Sequence, residues 1–375
     1  MNSRRTRLRS AVAATLTVLV LVPSAVLFAR VWTDVSDRRA ATALEKQGVE
    51  YLTALSPLIS ALAEAQSSAL QGVDAPPASL AAATSRVSAA DARLGDALKT
   101  RQRWAGLQEK IGKLSKVTGG QVAVYQAHVE VTDLALGLYN AIRRSSELNR
   151  DPDSDLSNLQ QAAAVDMPTT VVLASRMGDL ANMLQSATGA TRGTITAQFG
   201  EQVVAVQTSV NALTENLQAA VDDTTSPTLS GSLVSSLDSF RRGVESMARG
   251  ANPGGPPNIA TISTAQSSLQ TALTGLTGVL LKEMARLLDN RMDNLGYRRV
   301  EALTMGLLAV VLVLAALFGP AFSRRRSPAT ARPAGDFAVD NRTAAGSPPG
   351  SSSHDQVAAY GQADPTRRER SGALR

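Results

Sequence analysis

The amino-acid sequence predicts an all-α protein in which two transmembrane helices flank an elongated extracytoplasmic helical bundle, followed by a disordered C-terminal tail. Two long uncharged runs near the ends predict the membrane helices, and apolar residues spaced by three and four positions between them predict the bundle. Such spacing places one apolar stripe along each helix, and neighbouring helices bury their stripes against one another. Two stacked bundles that share long helices are an alternative form of the same architecture.

The composition argues against an enzyme. The 375 residues include no cysteine and two histidines, which excludes thiol catalysis and argues against a histidine-rich metal site. No glycine-rich phosphate loop is present. Residues 33–300 carry 24 basic and 26 acidic groups, so they lack the concentrated basic surface that nucleic-acid binding needs. We therefore expect no catalytic residues, no cofactor, no metal and no nucleic-acid partner.

The first uncharged run covers 19 residues, from Ala11 to Ala29. At about 1.5 Å per residue it is roughly 28 Å long, close to the thickness of the hydrocarbon layer of a bilayer. Pro23 can kink a membrane helix without preventing it. A cleaved signal peptide is the alternative, but Leu27 would then stand where signal peptidase prefers a small residue. We expect a retained anchor, with residues 1–10 as a basic cytoplasmic N-terminus and 11–32 as the first membrane helix.

The second uncharged run covers 22 residues, from Ala302 to Ser323. Arginines precede the first run and follow the second, and positively charged flanks favour the cytoplasmic side of a membrane. Trp32 and Tyr297 lie just beyond the opposite ends of the two runs, where aromatic residues commonly anchor a helix at the interface. We therefore expect a double-pass protein of the plasma membrane, with both termini in the cytoplasm and residues 33–300 outside.

Four stretches between the runs show helical spacing. Their apolar and small residues recur three and four positions apart: Leu52, Leu55, Ile59 and Leu62; Val122, Tyr125, Val129, Thr132, Leu136 and Tyr139; Phe199, Val203, Val206, Val210, Leu213, Leu217 and Ala220; Ile262, Ala265, Leu269, Ala272, Leu276 and Val279. Segments rich in Gly, Pro and Asp separate the helices, at 72–77, 119–120, 149–155, 222–227 and 250–257. We expect six or seven helices, the last of which continues into the second membrane helix.

The C-terminal region changes character at the second membrane helix, which we assign to residues 301–323. The residues that follow, 324–375, are rich in Pro, Gly, Ser, Ala and Arg and show no apolar periodicity. A segment of this composition cannot bury enough apolar surface to offset its chain entropy. We expect a disordered cytoplasmic tail.

A group of arginines near the end of one predicted helix is a candidate ligand site. Arg143, Arg144 and Arg150 follow Tyr139, and arginine side chains bind carboxylates through paired N–H donors. The alternative is structural, because cations near a helix C-terminus stabilise the helix by about 0.3–1 kcal/mol. Trp104 lies between basic residues and allows the same choice, either a packed aromatic or a ligand platform.

Three acids alternate in the loop that follows, at Asp151, Asp153 and Asp155, as calcium ligands do. A calcium-binding loop that began at Asp151 would need a glycine at its sixth position and an acid at its twelfth, where Leu156 and Ala162 stand. We therefore expect a polar loop between helices, in which Asp153 or Asp155 caps the next helix.

This loop resembles a segment of the extracytoplasmic helical-bundle sensor domains of methyl-accepting chemotaxis receptors and sensor kinases. The residues that carry the resemblance are Asp151, Pro152, Asp153 and Asp155, which match a DPDxD motif, and Met167-Pro168, which stands where a Leu-Pro pair precedes a long helix. Paired tyrosines of the family are replaced here by Ser157-Asn158. The resemblance implies a four-helix-bundle sensor.

The region after the second membrane helix departs from that family, because it contains no HAMP linker and no signalling or kinase module. Six lysines against 32 arginines are typical of a GC-rich actinobacterial coding sequence. Within that group the chain resembles two-span membrane proteins that link a glutamate/aspartate-binding lipoprotein to protein kinase G. The resemblance implies a non-enzymatic sensor that detects a small solute or a ligand-loaded solute-binding protein and signals to a separate cytoplasmic partner, such as a kinase. A structural or scaffolding envelope protein is the alternative, and the heptad surfaces allow a homodimer.

Overall fold

The structure is a computed structural model that describes the backbone of residues 2–73, 75–149, 154–223, 227–252 and 255–323. Within those ranges it describes all side chains except those at 2–14, 16–18, 20, 154–155, 227–230, 232–236 and 316–323. The predicted disordered tail, 324–375, therefore lies outside the described residues. Residues Met1–Phe318 form one compact unit.

Every regular element in the described ranges is helical, which confirms the all-α prediction. The α-helices are α1 (Asn2–Leu70), α2 (Ala78–Leu94), α3 (Arg101–Ile111), α4 (Gly120–Ser145), α5 (Ser154–Gln161), α6 (Met167–Ser186), α7 (Gly189–Asp223), α8 (Pro227–Ala251) and α9 (Ile259–Ser323). A short 3-10 turn, Leu114–Lys116, follows α3, and a π-helical turn, Ala162–Asp166, joins α5 to α6.

The two longest helices, α1 and α9, lie side by side and run in opposite directions. Near one end of the pair the hydroxyls of Ser60 and Thr274 are 3.4 Å apart. Near the other end, a Cβ on Gly306 would lie 2.8 Å from Cε2 of Phe28. Phe28 precedes Ser60 by 32 residues and Gly306 follows Thr274 by 32 residues. The helices therefore keep one register over roughly 48 Å of their length.

The described residues do not support the prediction of two membrane-spanning helices. Within the described residues, no helix has a segment that is both long enough and apolar enough to cross a membrane. The side chains of residues 11–14, 16–18, 20 and 316–323, which belong to the two predicted membrane helices, lie outside the described set. As backbone, α1 and α9 continue without interruption through 11–32 and 301–323.

Helix α1 continues through two prolines, Pro23 and Pro57. Pro57 has no N–H to donate to the carbonyl of Thr53, one turn earlier. The Ser56 hydroxyl donates to that carbonyl instead, at 3.4 Å. A side-chain hydrogen bond thus takes the place of the missing backbone one, and the helix continues to Leu70.

The buried apolar residues of the described ranges form one continuous core rather than two stacked ones. Three of the four predicted stripes face this core, those of α1, α7 and α9. In these stripes the partly buried members are Val203, Ala272 and Val279, and all the others are buried. The three and four spacing therefore identified the buried face of these helices correctly.

The stripe predicted for α4 is partly wrong. Val122 is 42% exposed, and its stripe partners Val129 and Leu136 are only half-buried. Thr132 and Tyr139 of the stripe are buried, but most of the other side chains that α4 buries lie one position before a stripe member, at His128, Val131, Ala135 and Leu138. Helix α4 contacts α1 on one side and the α6 segment on another, so two apolar faces compete and spacing alone does not choose between them.

A turn between α2 and α3 was not predicted, since residues 78–118 were expected to form one helix. Near the end of α2, Oδ1 of the buried Asp91 accepts hydrogen bonds from Tyr51 at 2.9 Å and Thr100 at 2.7 Å. A buried carboxylate requires such donors. Thr100 reaches it because the chain turns after α2, where Lys99 adopts a left-handed backbone with φ of 54°.

Replacing Gly48 by Ala should destabilise the bundle. An added Cβ would lie 2.5 Å from Cβ of Ser146 and 2.9 Å from Cδ1 of Leu148, so α1 would have to move away from the end of α4. We expect a loss of about 1–3 kcal/mol of unfolding free energy from this overpacking. Gly137→Ala is the matched control, because nothing lies within 4 Å of its added Cβ and the change should stabilise α4 by about 0.5–1 kcal/mol. Denaturant unfolding of both variants measures this, and equal midpoints would contradict the packing.

Candidate functional site

Tyr139, the first of the predicted ligand residues, lies in the core and is 3% exposed. Burial raises the pKa of its phenol well above the ordinary value, so the side chain is neutral. It borders a cavity of about 30 Å³ together with Ser56, Ser60 and Thr274. That volume accommodates a water molecule rather than an amino acid.

The predicted arginines separate in the structure. Arg143, one turn beyond Tyr139 on α4, is half-buried, and its Nη1 donates to Oε1 of Gln161 at 3.1 Å. Its Nε is buried with no hydrogen-bond partner. Arg144 is exposed. The structure thus places Tyr139 and Arg143 on the same side of α4 but not Arg144.

The rest of the predicted site falls on the loop before α5. Outside the described residues lie Arg150, Asp151, Pro152 and Asp153, together with the side chain of Asp155. Anion binding by the arginines, and helix capping by the loop acids, therefore stay predictions.

Arg143 belongs to a polar network that joins α4, α5 and α7. Gln161 donates from Nε2 to Oδ1 of Asp166 at 3.2 Å, and Asn216 donates from Nδ2 to Oδ2 of the same carboxyl at 2.6 Å. Burial raises the pKa of Asp166, while the hydrogen bonds from Asn216 and Gln161 and the charge of Arg143 oppose the rise. The network satisfies a carboxyl that is 6% exposed.

Asp166 closes the π-helical turn that precedes α6. The N–H of Met167 donates to the carbonyl of Ala162, five residues earlier, so the turn contains one residue more than an α-helical turn. Single π turns within helices occur frequently at functional sites. The predicted helix start at Met167-Pro168 is confirmed, although the π turn connects α6 to α5 without a loop.

A second buried carboxyl, Asp179, lies between α1 and α6 and is 1% exposed. Its Oδ2 accepts a hydrogen bond from Nε2 of Gln66 at 2.9 Å, and its Oδ1 accepts one from the hydroxyl of Ser67 at 2.6 Å. The Ser175 hydroxyl contributes a longer one, at 3.4 Å. Burial raises the pKa of Asp179 to about 6, and these three neutral donors only partly offset it.

Helix α9 packs directly beside this carboxyl. A Cβ on Gly178 would lie 2.6 Å from Cδ of Gln266, so the glycine allows α9 to approach α6 closely. Asp179 and its neighbour therefore connect α6 with both α1 and α9.

Sequence reasoning did not single out Asp166 or Asp179. A signal existed for Asp179, which is the one charged residue in the apolar segment Met177–Ala181. Charged residues inside apolar segments are rarely buried without partners. For Asp166 one donor, Gln161, is five residues earlier, whereas the other, Asn216, is 50 residues later and lies on another helix.

Trp104, a predicted candidate, and the histidine His128 both lie in the core. Trp104 is 4% exposed, which is the packed alternative rather than the ligand platform. His128 is 3% exposed, and burial lowers its pKa to about 4, so the imidazole is neutral. Its Nδ1 is buried and has no hydrogen-bond partner.

No group of acids and histidines within the described residues has the arrangement of a metal site. Comparison of the chain with known protein families, curated proteins and solved structures gives no match. The functional argument therefore rests on the sequence and on the geometry described above.

Asp179→Asn should remove a pH dependence of stability. The pKa of Asp179 is about 6 in the folded chain against an ordinary value of 3.8, so folding favours the protonated form. Protonation of Asp179 therefore stabilises the folded wild type: this contribution to the unfolding free energy rises as the pH falls through about 6 and is complete below 3.8. At pH 8 the buried carboxylate costs roughly 3 kcal/mol relative to its protonated form.

Denaturant unfolding of the full chain at several pH values measures this contribution as the difference between wild type and variant. The exposed Asp37, changed to Asn, is the control and should leave the pH profile as it is in the wild type. Parallel profiles for wild type and Asp179→Asn would show that the buried carboxyl does not titrate in this range.

Asn216→Ala should destabilise the chain by about 1–3 kcal/mol, because it leaves one oxygen of the buried Asp166 without its 2.6 Å donor. Asn211→Ala is the matched control on the same helix, where the amide pairs with Gln207 on the exposed face. We expect that change to remain within about 0.5 kcal/mol of wild type. Equal unfolding midpoints for the two variants would remove the network from the forces that stabilise the core.

Proposed function

We propose that this protein is a membrane-anchored signal transducer rather than an enzyme. Its helical bundle, outside the plasma membrane, detects a small solute or a ligand-loaded binding protein. Two transmembrane helices, 11–32 and 301–323, anchor the bundle and leave both termini in the cytoplasm. The observation that carries the proposal is the single register of α1 and α9 from the bundle core into both predicted membrane helices.

Exposed apolar side chains support the membrane anchor. Between residues 19 and 31 of α1 and between 300 and 314 of α9, most large apolar side chains are about half or more exposed, among them Leu19, Val22, Leu27, Met305, Leu307 and Leu312. A contiguous apolar surface of this kind on a helix pair is unfavourable in water and typical of a surface that contacts a partner or a lipid. We propose that this apolar surface contacts lipid, because both helices carry uncharged runs of membrane length with arginines at their outer ends.

Aromatic and basic side chains meet where the apolar surface begins. The guanidinium of Arg299 lies 4.6 Å from the ring centre of Trp32, and the Phe28 and Trp32 rings stack at 6.1 Å. Tyr297 is 73% exposed on the same level of α9. Tryptophan, tyrosine and arginine with this arrangement are favoured in the headgroup layer, which supports a membrane boundary near residues 32 and 299.

The helix pair suits signal transmission because neither helix is interrupted between bundle and membrane. Small translations of packed helices are a known means of passing a signal across such distances. A ligand shifts the equilibrium between two arrangements only by its difference in affinity for them. The tail after α9 would then bind or release a cytoplasmic partner such as a kinase, and a homodimer is compatible with this scheme.

The topology can be tested with single cysteines, because the chain has none of its own. Thr208→Cys, exposed on α7, should react with a membrane-impermeant maleimide in intact cells. Ser352→Cys, in the tail, should react only after lysis. Labelling of the tail in intact cells, or release of the chain from membranes by alkaline carbonate, would contradict the double-pass arrangement.

Transmission can be tested by fluorescence energy transfer between labels on the two cytoplasmic termini of the full chain in lipid nanodiscs. We expect at least one of the amino acids and their N-acetyl amides, added on the bundle side, to change the transfer efficiency. Ala40→Pro should abolish that change, because proline inside a helix costs roughly 3 kcal/mol and would break α1 between bundle and membrane. Ala40→Ser is the control and should keep it. No response to any of these solutes would favour the scaffold.

A further inference from the structure

A groove opens at the end of the bundle where α1 and α6 end and where α4 and α7 begin. It consists of two adjoining depressions of about 280 and 320 Å³. Both are lined by Val122, Met183, Thr191 and Ile195, so they form one continuous site. The volume of each lies near the lower end of the range for small-molecule sites. We call it the tip groove.

The lining of the tip groove combines apolar side chains with neutral hydrogen-bonding groups. Val122, Met183 and Ile195 provide the apolar part, and Tyr125, Gln126 and Gln198 provide donors and acceptors. Burial raises the pKa of the Tyr125 phenol to about 12, so it is a neutral hydroxyl at physiological pH. Among the described residues that line either depression, none is charged.

The two arginines near the groove make their hydrogen bonds to other groups. Arg176, which acts on Tyr125 through its charge, donates to Asp133 at 2.6 Å and to the Thr132 hydroxyl at 2.7 Å. Arg192, next to Thr191, donates to the carbonyl of Leu184 at 2.9 Å. An ionic ligand would lose hydration in the groove without a charged partner among the lining residues, which is unfavourable.

The groove is connected to the helix that leads to the membrane. Gln121, which lines it, donates from Nε2 to the carbonyl of Leu70, the last residue of α1, at 3.1 Å. Ser186 at the end of α6 donates to Oε1 of the same glutamine at 3.0 Å. A ligand that contacts Gln121 therefore acts on the end of α1 through that one side chain, and a ligand that contacts Ser186 acts on it through Ser186 and Gln121.

We propose that the tip groove binds an uncharged small molecule with an apolar body and hydroxyl or amide groups, and that this molecule is the direct ligand of the transducer. This inference rests on the proposed function for its consequence, but not for the binding itself. It differs from anion binding by the arginines of α4, because the lining offers neutral donors and acceptors instead of a cation.

Disulfide tethering on the full chain in nanodiscs tests the binding. Thr194→Cys places a thiol in the groove, and Thr208→Cys is the control on the same helix, since both threonines are exposed and both hydroxyls bond to the carbonyl four residues earlier. The probes are mercaptoethyl benzamide and its para-carboxylate and para-aminomethyl analogues. At Thr194→Cys we expect the neutral probe to form its disulfide roughly tenfold more favourably than the charged ones, relative to the control site.

The same order of the three probes at both sites, or a preference for the carboxylate at Thr194→Cys, would overturn the proposal. Unfolding midpoints equal to wild type for both variants show that the groove is intact. Failure of this site is distinguishable from failure of the proposed function. If tethering shows no preference for the neutral probe but free solutes change the energy transfer, the groove is rejected as the site and the transducer is supported. If tethering shows the preference but no solute changes the energy transfer, the site is supported and the transducer is rejected.

Discussion

The antiparallel register of α1 and α9 is the constraint on which the rest of the structure depends. Because α1 is the first helix of the described residues and α9 the last, every other helix lies between them in the sequence. The pairing of α1 with α9 therefore fixes both ends of the folded core. Polar contacts specify the register: Arg291 lies 3.3 Å from the buried Glu45, and Lys46 pairs with Asp289 one residue further along α1. Apolar stripes alone would permit slippage by a turn, whereas moving a buried charge from its partner is strongly unfavourable. A pair fixed in this way can carry a displacement because it has few alternative arrangements.

Buried carboxyls perform a similar task between the other helices. Asp91 connects α1 to the turn before α3, Asp166 connects α5 and α7, and Asp179 connects α1 and α6. Each accepts hydrogen bonds mainly from neutral side chains, so each fixes a relative position at some cost in stability. The raised pKa values of Asp166 and Asp179 express that cost. An alanine-rich bundle packs closely but has smooth surfaces, and directional bonds give it a single arrangement.

The spacing of apolar residues predicted which side of a helix is buried where the helix has a single apolar side. The stripes of α1, α7 and α9 face the core as expected, because each of these helices has one clearly apolar side. For α4 the predicted side was largely one position away from the buried one, since the helix packs on two sides. The turn after Leu94 was missed, although Gly95 at the end of α2 and Thr100 before α3 are residue types common at helix ends. The hydrogen bond from Thr100 to Asp91, which fixes the turn, is not visible in a local pattern.

The candidate sites show the same limit more sharply. Tyr139 and Arg143 are one helical turn apart on α4, but whether their side meets solvent or core depends on the helices packed against it, which no local pattern describes. The tip groove is lined by residues at 119–126 and 183–198, and one of them, Gln121, bonds to Leu70 at the end of α1. These segments approach one another because four helices end or begin at the same level. Helix ends leave backbone groups and gaps that side chains must fill. In this bundle Gln121 and Ser186 fill them incompletely, and the remaining space adjoins the end of the helix that continues toward the predicted membrane.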